Sequence, residues 1–518
     1  MNESAPVAPT DASQPVAAAA PGEGLSDQEV VQRSVGGAAR TALVGLVCRA
    51  AGLLATVLVT HFLSQSEYGN ANLAMIIALI VGTGALLSPQ QALLTRHHGF
   101  AEGATLVHAF ASWSGVLIAV VLALVREPLC AALHQPEAAP LLLVYCFALV
   151  LERLALIPML RLRYQLRFGP VSQCELWGDL AYVGVTVATA AGGVGPVCLP
   201  LGMVARHGAR LLYLARLREP LWPHGPQGGF TPSERQRARE IFTQSWPVHL
   251  GGFGEYLTLY LDNLLVGRLY LAAAQGLYAV AYTLIMTPTD TIALYGATAL
   301  VRALGLKDAE RRRATYLQGL RYMSLVLFPL AVGVALVAST VESTLLSQRW
   351  RGVAPLAVSL TAASLSTGLM RLAFAHLTAI HRVRLAGAIE AVRLLLFLLG
   401  LGAVAALDPG RDHLTWVGYG VSAAFMASSL IGVALSLRAD AIPLRSGVIA
   451  VLPPLLGAAA MAAGLLLAQR GMDRLPLPPA LRLLLEAGLG AALYVGYLRL
   501  CHPALFASAL SWLRRRGR

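Results

Sequence analysis

Residues 41–62 read TALVGLVCRAAGLLATVLVTHF, an apolar run with a single charge, Arg49, inside it. A helix rises about 1.5 Å per residue, so roughly 20 such residues cross the hydrocarbon core of a bilayer. Comparable runs follow at 71–94, 106–125, 139–160, 174–192, 195–215, 242–265, 277–300, 320–345, 353–373, 384–406, 413–437, 446–468 and 480–500. Their recurrence predicts an all-α polytopic membrane protein of about 14 transmembrane helices. It displaces the alternative of about three soluble domains that length alone would suggest.

Composition agrees with that class. Of 518 residues, 56% are hydrophobic and 13% charged, against about 25% charged in soluble domains. The formal charge of +13 does not point to nucleic acid, because the cations sit in loops between apolar runs. Arg161, Arg163 and Arg167, then Arg235, Arg237 and Arg239, then Lys307, Arg311, Arg312 and Arg313, then Arg514, Arg515 and Arg516 all fall on one side of the predicted membrane. Cationic residues accumulate on cytoplasmic loops, so both termini are expected there. Cys48, Cys130, Cys146, Cys174, Cys198 and Cys501 show no C-x-x-C spacing, and no metal site is expected.

Residues 1–33 are rich in Ala, Pro and Ser and read as a disordered tail. An N-lobe is expected over 34–217, a cytoplasmic linker over 218–241, a C-lobe over 242–437, two additional helices over 438–500 and a basic tail over 501–518. The linker is marked by Pro220, Pro223, Gly225, Pro226, Gly228, Gly229 and Pro232. The second run opens Gly69-Asn-Ala-Asn-Leu-Ala74 and the eighth Gly276-Leu-Tyr-Ala-Val-Ala281, sharing the Gly and the last Ala. Two six-helix lobes in parallel orientation would be related by an axis along the membrane normal, with a central cavity between them.

Several short stretches carry a resemblance. They are Leu63-Ser-Gln-Ser-Glu-Tyr-Gly69, Leu87-Ser-Pro-Gln90, Arg163-Tyr-Gln-Leu-Arg-Phe168, Asp262-Asn-Leu-Leu-Val-Gly-Arg268 and Gly276-Leu-Tyr-Ala-Val-Ala-Tyr282. With Phe328-Pro329 and Trp350-Arg-Gly-Val-Ala-Pro-Leu356 further on, the chain resembles Wzx-type polysaccharide flippases of the multidrug/oligosaccharidyl-lipid/polysaccharide (MOP) superfamily. The resemblance implies two six-helix lobes with two extra C-terminal helices in a bacterial inner membrane. It also implies translocation of undecaprenyl-linked oligosaccharide, alongside polysaccharide polymerase and export proteins, without an organic cofactor.

A charge near the middle of a membrane helix is costly, so each one is a site candidate. Arg49 is suited to a lipid pyrophosphate, because a guanidinium stays protonated and presents a planar fork of donors. The alternative is a structural partner such as Glu255 or Asp290. Glu255 and Asp262 share a helix face, where Tyr256 and Tyr260 add hydroxyls for sugars. Thr283, Thr287, Asp290 and Thr291 form a polar stripe around Pro288, a candidate gating kink. Pro89 is the second gating candidate, and Gln90 and Gln91 after it offer donors and acceptors suited equally to sugar hydroxyls or to hydrogen bonds between helices. Arg371 is a further cavity cation. The acids leave three roles open: binding a coupling proton or sodium ion, contacting sugar, or neutralising Arg49. Glu390 and Arg393, three apart, are expected to pair with each other.

An ATP-driven pump is excluded within the chain, since the one lysine, Lys307, follows Leu306 rather than lying in Gly-Lys-Ser/Thr. A multidrug exporter of the same superfamily would favour acidic cavity groups and is the main rival. A lipid-linked glycan polymerase or ligase is the second, and the short outer loops count against it.

Overall fold

The computed structural model describes residues 27–84, 100–165, 167–219, 221, 232–305, 308–407 and 413–507. Within these, the chain is helical, with no strand. The helices are α1 (Asp27–Val59), α2 (Gln65–Gly84), α3 (Phe100–Ala132), α4 (Ala138–Tyr164), α5 (Phe168–Ala191), α6 (Cys198–Arg216), α7 (Pro232–Gly305) and α8 (Ala309–Leu345). They continue as α9 (Val353–Ser359), α10 (Thr361–Ala379), α11 (Val383–Leu407), α12 (Leu414–Ala439), α13 (Leu444–Met472) and α14 (Pro479–Cys501). Counting α7 as two crossings and α9–α10 as one gives about fourteen. Nine of the described helices are long and apolar enough to cross a membrane by composition, or ten with the α9–α10 pair. Leu117, Leu124, Leu212, Leu484 and Leu500 point outward, as lipid-facing side chains do.

Local chemistry explains where helices start and break. Ser64 and Glu67 form a reciprocal cap at the head of α2, Ser64 N–H donating to Glu67 Oε2 (2.8 Å) and Glu67 N–H to Ser64 Oγ (3.3 Å). α7 begins at Pro232, inside the stretch read as a linker, because proline suits the first helical position, where its missing N–H costs nothing. α7 turns at Leu271, whose φ of 69° and ψ of 176° lie outside helical values, giving α7a (232–270) and α7b (272–305). The run at 353–373 is not one straight span: α9 and α10 meet at a 42° bend. Ser422 on α12 fills the break, donating to Ser359 O (2.6 Å) and accepting from Ala363 N–H (3.1 Å). A side chain inserted in this way satisfies backbone groups that lipid cannot.

Helices α1–α6 form one lobe and α7a–α12 the other, with α13 and α14 packed on α8. Tyr494 Oη donates to Leu325 O (2.9 Å) and Gln469 Nε2 to Leu336 O (3.1 Å), fixing the extra pair. At the end where α1 begins and α14 finishes, hereafter proximal, each lobe gathers arginines, and in the second lobe the His376 imidazole as well, on an acid that follows its last helix. Glu219 meets Arg167 (3.3 Å) and Arg161 (3.9 Å), and Asp440 meets Arg312 (2.7 Å), Arg313 (3.5 Å) and His376 (3.1 Å). Burial pushes the Asp440 carboxyl up, but hydrogen bonds from Arg312 and His376 outweigh it and hold it below the usual carboxylate range.

At the opposite, distal end the lobes touch with two-fold pseudosymmetry. A Cβ on Gly69 would overlap Ala272 O, and a Cβ on Gly276 would overlap Gln65 O, so α2 and α7b meet backbone to backbone. The α3–α4 turn of the first lobe reaches the second: Gln135 Nε2 donates to Gly267 O (2.9 Å) and Gln275 Oε1 (2.8 Å). Reciprocally, the α8–α9 turn reaches the first lobe, Ser347 Oγ and Trp350 Nε1 each donating to Thr60 O at 2.8 Å. The two glycines are the pair singled out by the internal similarity.

Candidate functional site

Between the lobes, three of the expected residues come together. Arg49 on α1 places Nη1 3.3 Å from Asp290 Oδ2, and Arg371 on α10 places Nε 2.8 Å from Asp290 Oδ1. Asp290, on α7b, thus gives one oxygen to a cation from each lobe. Their side chains are 38%, 20% and 21% exposed for Arg49, Arg371 and Asp290, so the cluster faces open space rather than a packed core. The Asp290 carboxylate is thus shared by two guanidiniums. This answers the question left by the sequence about a partner for Arg49: it is Asp290, shared with Arg371.

Tyrosines surround the cluster. Tyr256 and Tyr260 on α7a stack with ring centroids 6.1 Å apart and planes at 17°, and Tyr260 lies within electrostatic reach of Asp290 and Arg49. Tyr295 on α7b packs its hydroxyl against Gly45, one turn before Arg49, where any side chain would displace it. The stacked rings offer an apolar face and two hydroxyls, the combination that sugars need.

The remaining candidates separate. Asp262 is fully buried on α7a and takes hydrogen bonds from Tyr278 Oη (2.8 Å), Asn263 N–H (2.7 Å) and Asn263 Nδ2 (3.1 Å). Asn263 in turn accepts from Asn72 of α2 (3.5 Å), so this network lies at the contact between lobes rather than in open space. Glu255 lies on α7a, and its side chain is outside the described residues, as are Pro89, Gln90 and Gln91. Pro288 lies in a stretch of α7b with helical backbone angles, beside Thr289, whose hydroxyl meets Ser364 Oγ at 2.6 Å. Glu390 and Arg393 pair as expected (3.5 Å), with Thr258 donating to Glu390 (3.1 Å) and the Arg393 guanidinium 4.3 Å above the Phe425 ring.

A second charge cluster lies in the first lobe, where Asp179 meets Arg206 and Arg210 and Arg153 donates to Gly82 O (3.0 Å). Sequence pattern did not point to Gln135, Gln275, Ser347 and Trp350 at the distal contact, of which the repeated glycine was the one readable sign. Among the described residues, no three His, Cys, Asp or Glu stand close enough together to hold a metal ion.

Residues 58–355, more than half of the chain, match the profile of the polysaccharide biosynthesis protein family. The chain belongs to that family. Within the curated proteins it is similar to the lipopolysaccharide biosynthesis protein WzxC of Escherichia coli (strain K12), 18% identical over 330 residues. That match takes in 62% of this chain and 65% of the relative, so less than two thirds of WzxC is spanned. Among solved structures, the fold resembles the lipid II flippase MurJ in an inward closed conformation, with a TM-score of 0.70 and 15% identity over 90% of this chain and 99% of the other. It also resembles an inward-facing multidrug resistance MATE family transporter of the MOP superfamily, with a TM-score of 0.59 and 16% identity over 77% and 98%. The Wzx-type, MOP-superfamily resemblance in the sequence agrees with these matches.

Proposed function

We propose that this protein is a flippase that carries undecaprenyl-pyrophosphate-linked oligosaccharide from the cytoplasmic to the outer leaflet of a bacterial inner membrane, by alternating access of the two lobes. The observation that carries the reading is the charged cluster between the lobes, Arg49 and Arg371 around Asp290. Guanidiniums bind phosphate oxygens through paired donors, and in a low-dielectric site that attraction is strong. A pyrophosphate seated there would place its first sugars along the Tyr256–Tyr260 face.

In this reading the proximal end faces the cytoplasm, both termini lie there, and the glycine contact closes the outer side. Glu255 and Asp290 are the acids we assign to coupling with a proton or sodium gradient, and a polymerase and export proteins would take the product. A multidrug exporter for organic cations fits less well, because Asp290, an acid that faces the opening, is already shared by two arginines.

The test is export in cells. Arg49→Ala should lower surface polysaccharide at least about tenfold, the loss expected for a charge-assisted contact of about 1.5–3 kcal/mol. The lipid-linked precursor should accumulate while the protein still reaches the membrane. Normal export with this variant would remove the site from the account.

A further inference from the structure

We infer that His134 is a proton-binding site in the distal contact, and that a proton taken up there releases the two lobes from each other at that end. That this end faces outward rests on the flippase reading above; the response to protons does not.

Arg268, near the distal end of α7a, places Nη1 2.9 Å from His134 Nδ1 in the α3–α4 turn of the other lobe. A guanidinium stays protonated and has donors only, so the imidazole nitrogen that faces it accepts through a lone pair. His134 is therefore neutral while the contact stands. A further proton would occupy that lone pair, and a hydrogen bond between the lobes would become two cations side by side. The neighbouring charges do not relieve this. On α4 and α2, Glu137 takes Asn70 Nδ2 (2.8 Å) and Glu67 takes Ser64 N–H (2.8 Å), and on α3 Glu127 pairs with Arg126 (2.8 Å). Gln275, which α7b brings to this turn, is uncharged. Among the described residues no carboxylate pairs with Arg268, whose side-chain hydrogen bond goes to His134.

Position gives the proton its effect. His134 is exposed, so a proton reaches it from the solution at the distal end. The next residue is Gln135, buried, whose amide donates to Gly267 O and Gln275 Oε1. Consecutive residues His134 and Gln135 of one lobe thus meet consecutive residues Arg268 and Gly267 of the other, and charge placed on His134 pushes apart the backbones that the Gln135 bonds join. The contact is whole at the alkaline end of the imidazole range, about pH 8, and weakens as pH falls toward about pH 5. By linkage, separated lobes bind this proton more tightly than joined ones, because separation takes Arg268 away from it. A proton supplied at the distal face therefore favours opening toward that face, at a point remote from Arg49 and Asp290.

Spin labels at Val194→Cys, between α5 and α6, and Arg351→Cys, between α8 and α9, in a Cys501→Ser background, report the distal separation of the full chain in detergent. Both positions are exposed, and the other cysteines are buried. The key comparison is His134→Asn. Asparagine tolerates the left-handed backbone of His134 (φ 60°), and its Oδ1 is bonded to Cγ as Nδ1 is, so it accepts from Arg268 without titrating. Between about pH 8 and about pH 5 the long-distance population should grow about fivefold with His134 in place, the effect of losing one hydrogen bond. It should stay at its alkaline level in His134→Asn and be high throughout in His134→Lys. No growth with His134 in place, or equal growth in His134→Asn, overturns the proton site, and a His134→Lys protein as closed as the unsubstituted one overturns the repulsion. Cargo movement in proteoliposomes keeps the two readings apart. A pH response without cargo movement sinks the flippase reading alone, and cargo movement without a pH response sinks the proton site alone.

Discussion

Asp262 and Asp290 are both acids within membrane helices, and their surroundings give them opposite characters. Asp290 is ringed by cations and open space, whereas Asp262 is sealed among neutral donors, Tyr278 and Asn263. Every described partner of Asp262 donates. Asp262→Asn would turn an amide N–H2 toward those donors and leave it unsatisfied, at a cost of about 1–3 kcal/mol. A clearly lower melting temperature in detergent is expected, and an unchanged one would contradict the network. Arg49 was legible in the sequence because a lone guanidinium in an apolar run is anomalous wherever it points. Its partnership with Asp290 and Arg371 was not, because these residues come from three separate spans, and no local spacing links side chains that meet through tertiary packing. Asp262 looked like a cavity residue because its helix face also carries Glu255; burial by α2 and α7b cannot be seen from one helix alone.

At the scale of the element, the distal contact depends on two glycines. α2 and α7b approach so closely at Gly69 and Gly276 that a Cβ on either would overlap a carbonyl oxygen of the other helix. Gly276→Val should therefore hold the distal end apart, exposing Gln135 and Trp350. Labelling of a Gln135→Cys variant by a membrane-impermeant maleimide should then rise severalfold over the same cysteine with Gly276 intact, and equal labelling would contradict the backbone contact. The fold itself was largely readable from hydropathy, since twenty apolar residues permit little other than a spanning helix. Helix ends were less so. The linker was read as flexible through 241 on its prolines and glycines, yet Pro232 starts α7 because proline at a first helical position favours a helix rather than breaking it. The α9–α10 bend was hidden because its cause, the Ser422 hydroxyl, lies on another helix.

At the scale of the molecule, two lobes meet at the distal end through reciprocal turns and, further inside, at the Asn72–Asn263 contact and the exposed Arg49–Asp290 ion pair. The distal contact is made of backbone, amides, the Ser347 hydroxyl, the Trp350 indole and Arg268 against His134; the inner one is an ion pair that faces open space. The most direct test is movement of the cargo by the purified protein. Proteoliposomes loaded with fluorescent undecaprenyl-pyrophosphate-linked oligosaccharide should move it between leaflets when they contain the protein with Arg49 in place, read as quenching by a membrane-impermeant reductant, and Arg49→Ala should fall to the protein-free rate. Protein-free rates for both, or equal movement by both, would contradict the account.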